Sequence, residues 1–338
     1  MTNFKLSAED KAIFDRDGVV CLRDVLGMTE LVGLQNAVDQ QIASVGQSPT
    51  AYDLESIAEQ VWETRKNNVD IGDAARFAID HFAAVIKSDP EARPLLDTRQ
   101  DADQNGAFVY ETSGWRRHRE IREVAFDSHL PRIAAQLMDA SVVNFWEDGS
   151  FVKAPHTRQK TAFHQDLGYN QFEGDQSVIF WVPLDPATLA NGVTRYVRGS
   201  HKWGKEYAPN MFVSQTPMPG AQAPRCPDIE ANEDDYDIVS FDVYPGDVIA
   251  HHVLTVHGAG GNPTDQMRRA LSIHYCGDDV RYVDRPGASP RTYGQNLLKP
   301  GDRLLSPDHP VVWPRPWPDA SIADLYDLQN APPAKRAA

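Results

Sequence analysis

Ala162-Phe163-His164-Gln165-Asp166-Leu167-Gly168-Tyr169-Asn170, AFHQDLGYN, sets an imidazole and a carboxylate two positions apart, between an apolar pair and a glycine. Along an extended strand alternate side chains share a face, so His164 and Asp166 point the same way and Gln165 points away. A neutral imidazole nitrogen and a carboxylate oxygen suit a first-row divalent metal. A second histidine would complete the two-histidine, one-carboxylate triad of non-heme Fe(II) oxygenases, which leaves coordination positions open. Alone, His-x-Asp is a frequent match, and a capped strand end is the commoner explanation of it.

Around this stretch, short apolar runs alternate with Gly, Pro, Asn and Asp: SVVNFW, SFVKA, TAFHQ, SVIFWVPL, GVTRYV, DVIAHHV and ALSIHY. Such spacing reads as a β-sandwich or barrel. Helical patterns come earlier. Leu6–Phe14 has Ser7 as its cap, Thr29–Ala43 has Thr29 as its cap, and Arg117–Met138 carries an apolar stripe. Val19–Leu22 reads as a strand, and Tyr52–Ala84 as a polar helical insertion. Helices first and strands later make the class α+β, with helices outside a β core. Gly204–Tyr244 is a long irregular connection, of the kind that is usually functional inside a compact domain.

The third ligand is sought in PGDVIAHHVLTVHGAGGN, where the turn Pro245-Gly246-Asp247 launches an apolar strand expected to end at His257. His257 stands where a strand gives way to a loop, a usual place for a ligand. His251 and His252 are rivals, read as one hydrogen-bonded core residue and one group supporting the ligands. Beyond them, Arg268 in DQMRRALSIHY is a candidate clamp for a carboxylate, since guanidinium binds carboxylate bidentately where lysine acts as a point charge. Arg269 points to the opposite face of the same strand, and surface charge is the competing reading for both arginines.

His164-Gln165-Asp166, Trp181 in VIFWVPL, Asn191-Gly192 with Arg198-Gly199-Ser200-His201, Pro245-Gly246-Asp247, His257-Gly258-Ala259-Gly260 and Arg268 form an ordered series. It resembles the motif series of the phytanoyl-CoA dioxygenase family, from FDRDGVVCLRDVL through Tyr275. The resemblance implies a double-stranded β-helix (jelly-roll, cupin-like) core with flanking N-terminal helices, Fe(II), the co-substrate 2-oxoglutarate, and O2. It implies His164, Asp166 and His257 as iron ligands, with Arg268 and Trp181 at the co-substrate. Many relatives carry serine where this chain has Ala259, and Thr194 or Thr255 is the candidate replacement. In related halogenases a small residue replaces the carboxylate, so Asp166 favours hydroxylation, with release of succinate and CO2.

One oxygenase domain over 1–330 is expected. It divides into a helical part with an insertion (about 1–140, the insertion about 50–105), a jelly-roll core (about 141–290) and an extension (291–330), followed by a loose tail at 331–338. The 33 Lys+Arg against 48 Asp+Glu give a formal charge of -15, which repels nucleic acid and anionic membranes. Three scattered cysteines, no leader pattern and no apolar window near about 18 residues point to a cytoplasmic protein that does not span a membrane. The expected partner is a small-molecule substrate; the oligomeric state is left open. Candidate substrate residues are Tyr169, Asn170, Phe172, Trp146 and Phe151, each also readable as a core aromatic or polar group. Lys153 and Arg158, with Lys160, suggest an anionic group on the substrate, or a solvated loop. Two other classes compete: a cupin-like metal isomerase or hydrolase that does not use 2-oxoglutarate, and a catalytically silent binding protein on this fold.

Overall fold

Ser7 opens the first helix, α1 (Ala8–Asp17), as its sequence predicts. Its hydroxyl accepts the Asp10 N–H at 3.0 Å while its own N–H donates to the Asp10 carboxylate at 3.1 Å. Gly18, at φ 75°, closes the helix through its N–H to the Phe14 carbonyl. In the computed structural model the described residues are 4–44, 51–53, 106–218, 220–288 and 298–314. The expected insertion, apart from Ala51–Asp53, lies outside the described residues, as do the 331–338 tail and the rest of the extension.

The second helix, α2 (Met28–Ala43), begins one residue earlier than expected. Thr29 lies inside the first turn rather than capping it, and the Glu30 carboxylate instead accepts the Gly27 N–H at 2.7 Å. The single helix read over Arg117–Met138 is two, α3 (Arg119–Asp127) and α4 (Leu130–Met138). Ser128 makes the break: its hydroxyl donates to the Val124 carbonyl at 2.6 Å and accepts the Leu130 N–H at 3.1 Å. Pro131 then sits in the opening turn of α4, where its missing N–H costs nothing.

The strands are β1 (Val19–Leu22), β2 (Ala51–Asp53), β3 (Phe108–Thr112), β4 (Val143–Lys153), β5 (Thr161–His164), β6 (Phe172–Glu173) and β7 (Ser177–Pro183). They continue with β8 (Thr194–Val197), β9 (Ile238–Ser240), β10 (Val248–His252), β11 (His257–Ala259), β12 (Arg268–Cys276), β13 (Arg281–Tyr282) and β14 (Val311–Trp313). SVVNFW and SFVKA, expected as two strands, are one. The intervening Glu147-Asp148-Gly149 stays extended because Asp148 is buried and accepts the Gly114 and Trp115 N–H groups at 2.9 and 3.1 Å.

An eight-stranded antiparallel sheet runs β1-β10-β7-β12-β4-β3-β2, with β14 also on β4. Besides β1, a strand by sequence, it draws β2 and β3 from the N-terminal part of the chain. A four-stranded sheet, β5-β11-β8-β9, faces it, and β6 pairs with β13. The two sheets make the jelly roll that the motif order implies. The outer face of the large sheet, with Phe145, Val152, Val182, Leu271, Ile273 and Tyr275, packs under α1–α4 through Phe14, Leu34, Ile121, Ile133 and Leu137. Each buried aliphatic side chain there contributes about 1.5–3 kcal/mol. The outer face of the small sheet is covered by the connection after Gly204: Tyr207, Cys226 and Ile229 pack on Phe163, Val197 and Val256. Between the sheets lies the space where the polar motif residues meet.

Candidate metal centre

Strand β5 stops at His164. Gln165 stays extended at φ −107°, ψ 141°, and Asp166 begins a 3-10 turn that runs to Tyr169. The alternation therefore holds across Gln165 although Asp166 has left the strand. Gln165 points away and is buried, and its amide donates to the Leu254 and Lys205 carbonyls at 2.9 and 3.1 Å and accepts the Tyr207 N–H at 3.0 Å. It ties the ligand turn to two other segments. Gly168 allows this fit, since a Cβ there would meet the Tyr207 carbonyl oxygen at 2.8 Å.

His257 comes from elsewhere than expected. The strand launched by Pro245-Gly246-Asp247 ends at His252, and the chain turns and crosses sheets, so His257 opens β11 instead of closing β10. In β11 it lies opposite His164 on one side and Tyr196 on the other. Directly opposed residues of an antiparallel pair share a face, and the two imidazoles stand 4.4 Å apart between centroids.

His164, Asp166 and His257 each offer one ligand atom, and these atoms lie within 4.8 Å of one another. Asp166 Oδ1 is 3.3 Å from His164 Nε2 and 3.7 Å from His257 Nε2. Each imidazole has its Nδ1 against the carbonyl two residues back: His164 on Ala162 at 2.7 Å, His257 on Thr255 at 2.9 Å. Those carbonyls accept only from a protonated Nδ1, which leaves each Nε2 lone pair aimed at the shared point. Burial pulls His257 down to about 3 against the attraction of Asp166, so its ring is neutral, as a ligand must be. Burial pushes the Asp166 carboxyl up, but the surrounding imidazoles, His257 first and then His164 and His251, outweigh it and hold it well below its ordinary value.

His251, a rival ligand by sequence, has another place. Its Nε2 lies 3.0 Å from Asp166 Oδ2, the oxygen turned away from the other two histidines. His251 thus orients the carboxylate, while His252 turns out to the Asp175 carbonyl at 2.8 Å. The tyrosine beside them, Tyr196, was not singled out by sequence; its ring stacks 5.7 Å from His257. Alternation with Thr194 along β8 is the signal that places it inward.

Arg268 opens β12 with 2% exposure, and its guanidinium carbon stands 5.8 Å from the Trp181 ring centre. It makes one long bond, to the Phe151 carbonyl at 3.4 Å, and its Nε has no partner among the described residues. Burial pulls it down to about 10. A buried guanidinium this poorly satisfied fits an anion that docks on it. Arg269 faces the other way, onto Asp185 and Asp39. Thr194 lies opposite Ala259, whereas Thr255 spends its hydroxyl on the Gly18 carbonyl at 2.7 Å and is corrected from a candidate replacement to a brace for α1.

Three substrate candidates are corrected as well. Trp146, Asn170 and Phe172 are buried together, with the indole N–H donating to the Asn170 amide oxygen at 2.7 Å and the Phe172 ring edge-on at 4.8 Å. They are satisfied core. Tyr169 does approach the ligands, 5.4 Å from His164 between ring centres, and Phe151 reaches them through a residue that sequence reasoning missed. Phe212, in the long connection, stands 5.3 Å from His164, 6.2 Å from Tyr169, 5.7 Å from Phe151 and 5.8 Å from Tyr110. It holds φ 63°, left-handed for a non-glycine, a placement that costs about 1–3 kcal/mol and recurs at functional sites. No sequence pattern marks it. Arg158 is exposed, Lys160 pairs with Glu230, and Lys153 is fully buried.

Among the described residues no helix is long and apolar enough to cross a membrane. Compared with known proteins, the chain is 27% identical over 185 residues to a probable phytanoyl-CoA dioxygenase of Caenorhabditis elegans, covering 52% of this chain and 54% of that one. It is 29% identical over 163 residues to the human peroxisomal phytanoyl-CoA dioxygenase, covering 47% of each. The chain thus matches about half the length of these curated relatives. Its fold matches the non-heme alpha ketoglutarate dependent carbocyclase SnoK from nogalamycin biosynthesis, with TM-score 0.62, 20% identity and coverage of 91% of this chain and 97% of that one. The sequence profile described as phytanoyl-CoA dioxygenase (PhyH) matches residues 14–270, and the chain belongs to that family.

Proposed function

We propose that this protein is an Fe(II)- and 2-oxoglutarate-dependent oxygenase that hydroxylates a C–H bond of a small organic molecule. The observation that carries the reading is the convergence of His164 Nε2, His257 Nε2 and Asp166 Oδ1 on one point, with both imidazole tautomers set by backbone carbonyls. Arg268 supports it as a buried guanidinium in want of an anion. When bound, Fe(II) and 2-oxoglutarate supply the oxidation of a C–H bond by O2, coupled to decarboxylation of the 2-oxo acid to succinate and CO2.

The protein's residues do the rest. His164, Asp166 and His257 would hold the metal, a ligand set of the kind that leaves positions for a co-substrate. His251 keeps Asp166 Oδ1 turned inward by holding Oδ2. Arg268, stacked on Trp181, binds the distal carboxylate of the 2-oxo acid, and Thr194 borders the same place. Phe212, Tyr169, Phe151 and Tyr110 form a partly exposed aromatic wall that starts at His164. They orient a substrate with an apolar face and keep water from the reacting bond. Three free, scattered cysteines support a reducing compartment such as the cytoplasm.

The test is anaerobic titration of Fe(II) and then 2-oxoglutarate, followed by the weak visible charge-transfer band, with succinate release measured after oxygen is admitted. Wild type gives the band and His164→Ala does not. A wild-type protein without a band would sink the reading.

A further inference from the structure

Strand β8 places Tyr196 opposite His257 and Thr194 opposite Ala259 on β11. Opposed residues of an antiparallel pair project to one face, so Tyr196 stands at the metal end of that face and Thr194 at the end where the chain carries alanine. The Tyr196 ring is wedged between two histidines, stacked 5.7 Å from His257 and tilted 5.2 Å from His251. It also belongs to one apolar cluster with Trp181 and Ala270 of the facing sheet, and the Arg268 guanidinium carbon stands 5.8 Å from the Trp181 ring centre.

Packing accounts for the ring and not for the hydroxyl. Tyr196 is 0% exposed, and its Oη finds no well-formed hydrogen bond among the described residues. A buried hydroxyl left unsatisfied is destabilising where a phenylalanine ring of the same shape is not. Burial pushes the Tyr196 hydroxyl far above its ordinary value, against the Thr194 hydroxyl beside it, so Oη keeps its proton and is a donor. On the facing sheet, Arg268 Nε is buried without a partner as well. Two donors in the neighbourhood of Trp181 thus want an acceptor, and the guanidinium wants an anionic one.

Resting on the oxygenase reading above, we infer that Tyr196 is a co-substrate-binding residue whose hydroxyl donates to the distal carboxylate of the 2-oxo acid that Arg268 holds. A carboxylate has lone pairs enough for a guanidinium and a hydroxyl together. The donor that Ala259 lacks on β11 is then supplied from β8, by a side chain that also packs on the ligand His257.

Tyr196→Phe keeps the ring and its stacking and removes only the hydroxyl. Without metal or acid, the variant should melt no lower than wild type, since the group it loses is unsatisfied. Both proteins, loaded with Fe(II) without oxygen, are then titrated with 2-oxoglutarate and separately with 2-oxobutanoate, which keeps the keto-carboxylate end and lacks the distal carboxylate. The variant should bind 2-oxoglutarate about tenfold more weakly, as for loss of one charge-assisted hydrogen bond, and 2-oxobutanoate within about twofold of wild type. Its Fe(II) affinity should be unchanged. Equal 2-oxoglutarate binding by variant and wild type overturns the inference. So does equal weakening for both acids, which puts the hydroxyl at the metal end. A variant that melts well below wild type overturns it too, because the hydroxyl is then bonded within the protein. Each of these outcomes leaves the oxygenase reading standing. Wild type that binds Fe(II) and neither acid overturns both together.

Discussion

In the small sheet, His164 and His257 sit on strands of four and three residues; in the large sheet, Arg268 and Lys153 sit at the ends of strands of nine and eleven. The long strands are positioned by their ladders and by the core that packs α1–α4 on them. The short ones have little ladder, and individual side-chain bonds hold them instead. Gln165 bonds to three backbone groups, the imidazoles to Ala162 and Thr255, and the Ser200 hydroxyl accepts the Val256 N–H at 2.8 Å. Metal geometry and global stability are thus carried by different parts of one sandwich, and damage to each should be read by a different measurement.

The sharpest way to break the comparison is at the ligands. Asp166→Ala should abolish Fe(II) binding and succinate formation while shifting the thermal melt little, since no large apolar contact is lost; equilibrium dialysis and calorimetry report the two. Next, Leu271→Ala or Ile273→Ala in the large sheet should cost about 2–5 kcal/mol in urea unfolding, with Fe(II) affinity of the folded fraction unchanged. Replacing His251 by Phe frees Asp166 Oδ2 and should weaken Fe(II) binding roughly ten- to hundredfold, with a smaller change in melt than Leu271→Ala. A His251→Phe protein that lost stability and kept its metal affinity would remove the distinction drawn between the sheets.

A further effect lies in the large sheet and depends on pH. Burial pushes the Asp148 carboxyl up to about 7 against the Trp115 and Gly114 N–H groups. The folded state then holds a proton that the unfolded state releases near the usual carboxylate value. Asp148 therefore contributes full stability below about pH 4 and loses it as pH rises through about 7. Urea midpoints for wild type should carry this downward slope, and Asp148→Asn should flatten it; a slope unchanged by the substitution would place the titrating group elsewhere.

Some of this was legible residue by residue. The cap at Ser7, the strand Val19–Leu22 and the pairing of His164 with Asp166 across Gln165 depend on neighbours a few positions away, and each stands where the pattern puts it. The errors have local causes too. Glu147-Asp148-Gly149 looked like a turn because its polarity is evident and its acceptance of the Gly114 and Trp115 N–H groups is not. Ser128 looked like a helix residue because nothing in the stripe from Ile121 to Leu137 reveals that its hydroxyl competes for the backbone. Trp146 and Asn170 looked available for substrate because a hydrogen bond between residues on different elements has no sequence signal.

What the sequence determined by itself is the chemistry on offer: two ligands on one side of a strand end, a histidine and an arginine downstream of a Pro-Gly-Asp turn, in an order shared with a family of oxygenases. Side-chain alternation and turn residues are short-range properties, and short-range patterns encode them. The tertiary structure alone decided which histidine joins His164, which oxygen of Asp166 faces it, that Phe212 closes the aromatic wall, and that Lys153 stands across from Arg268. Those depend on the register of strands far apart in the chain. Register is chosen by the packing of whole faces, which no local pattern contains.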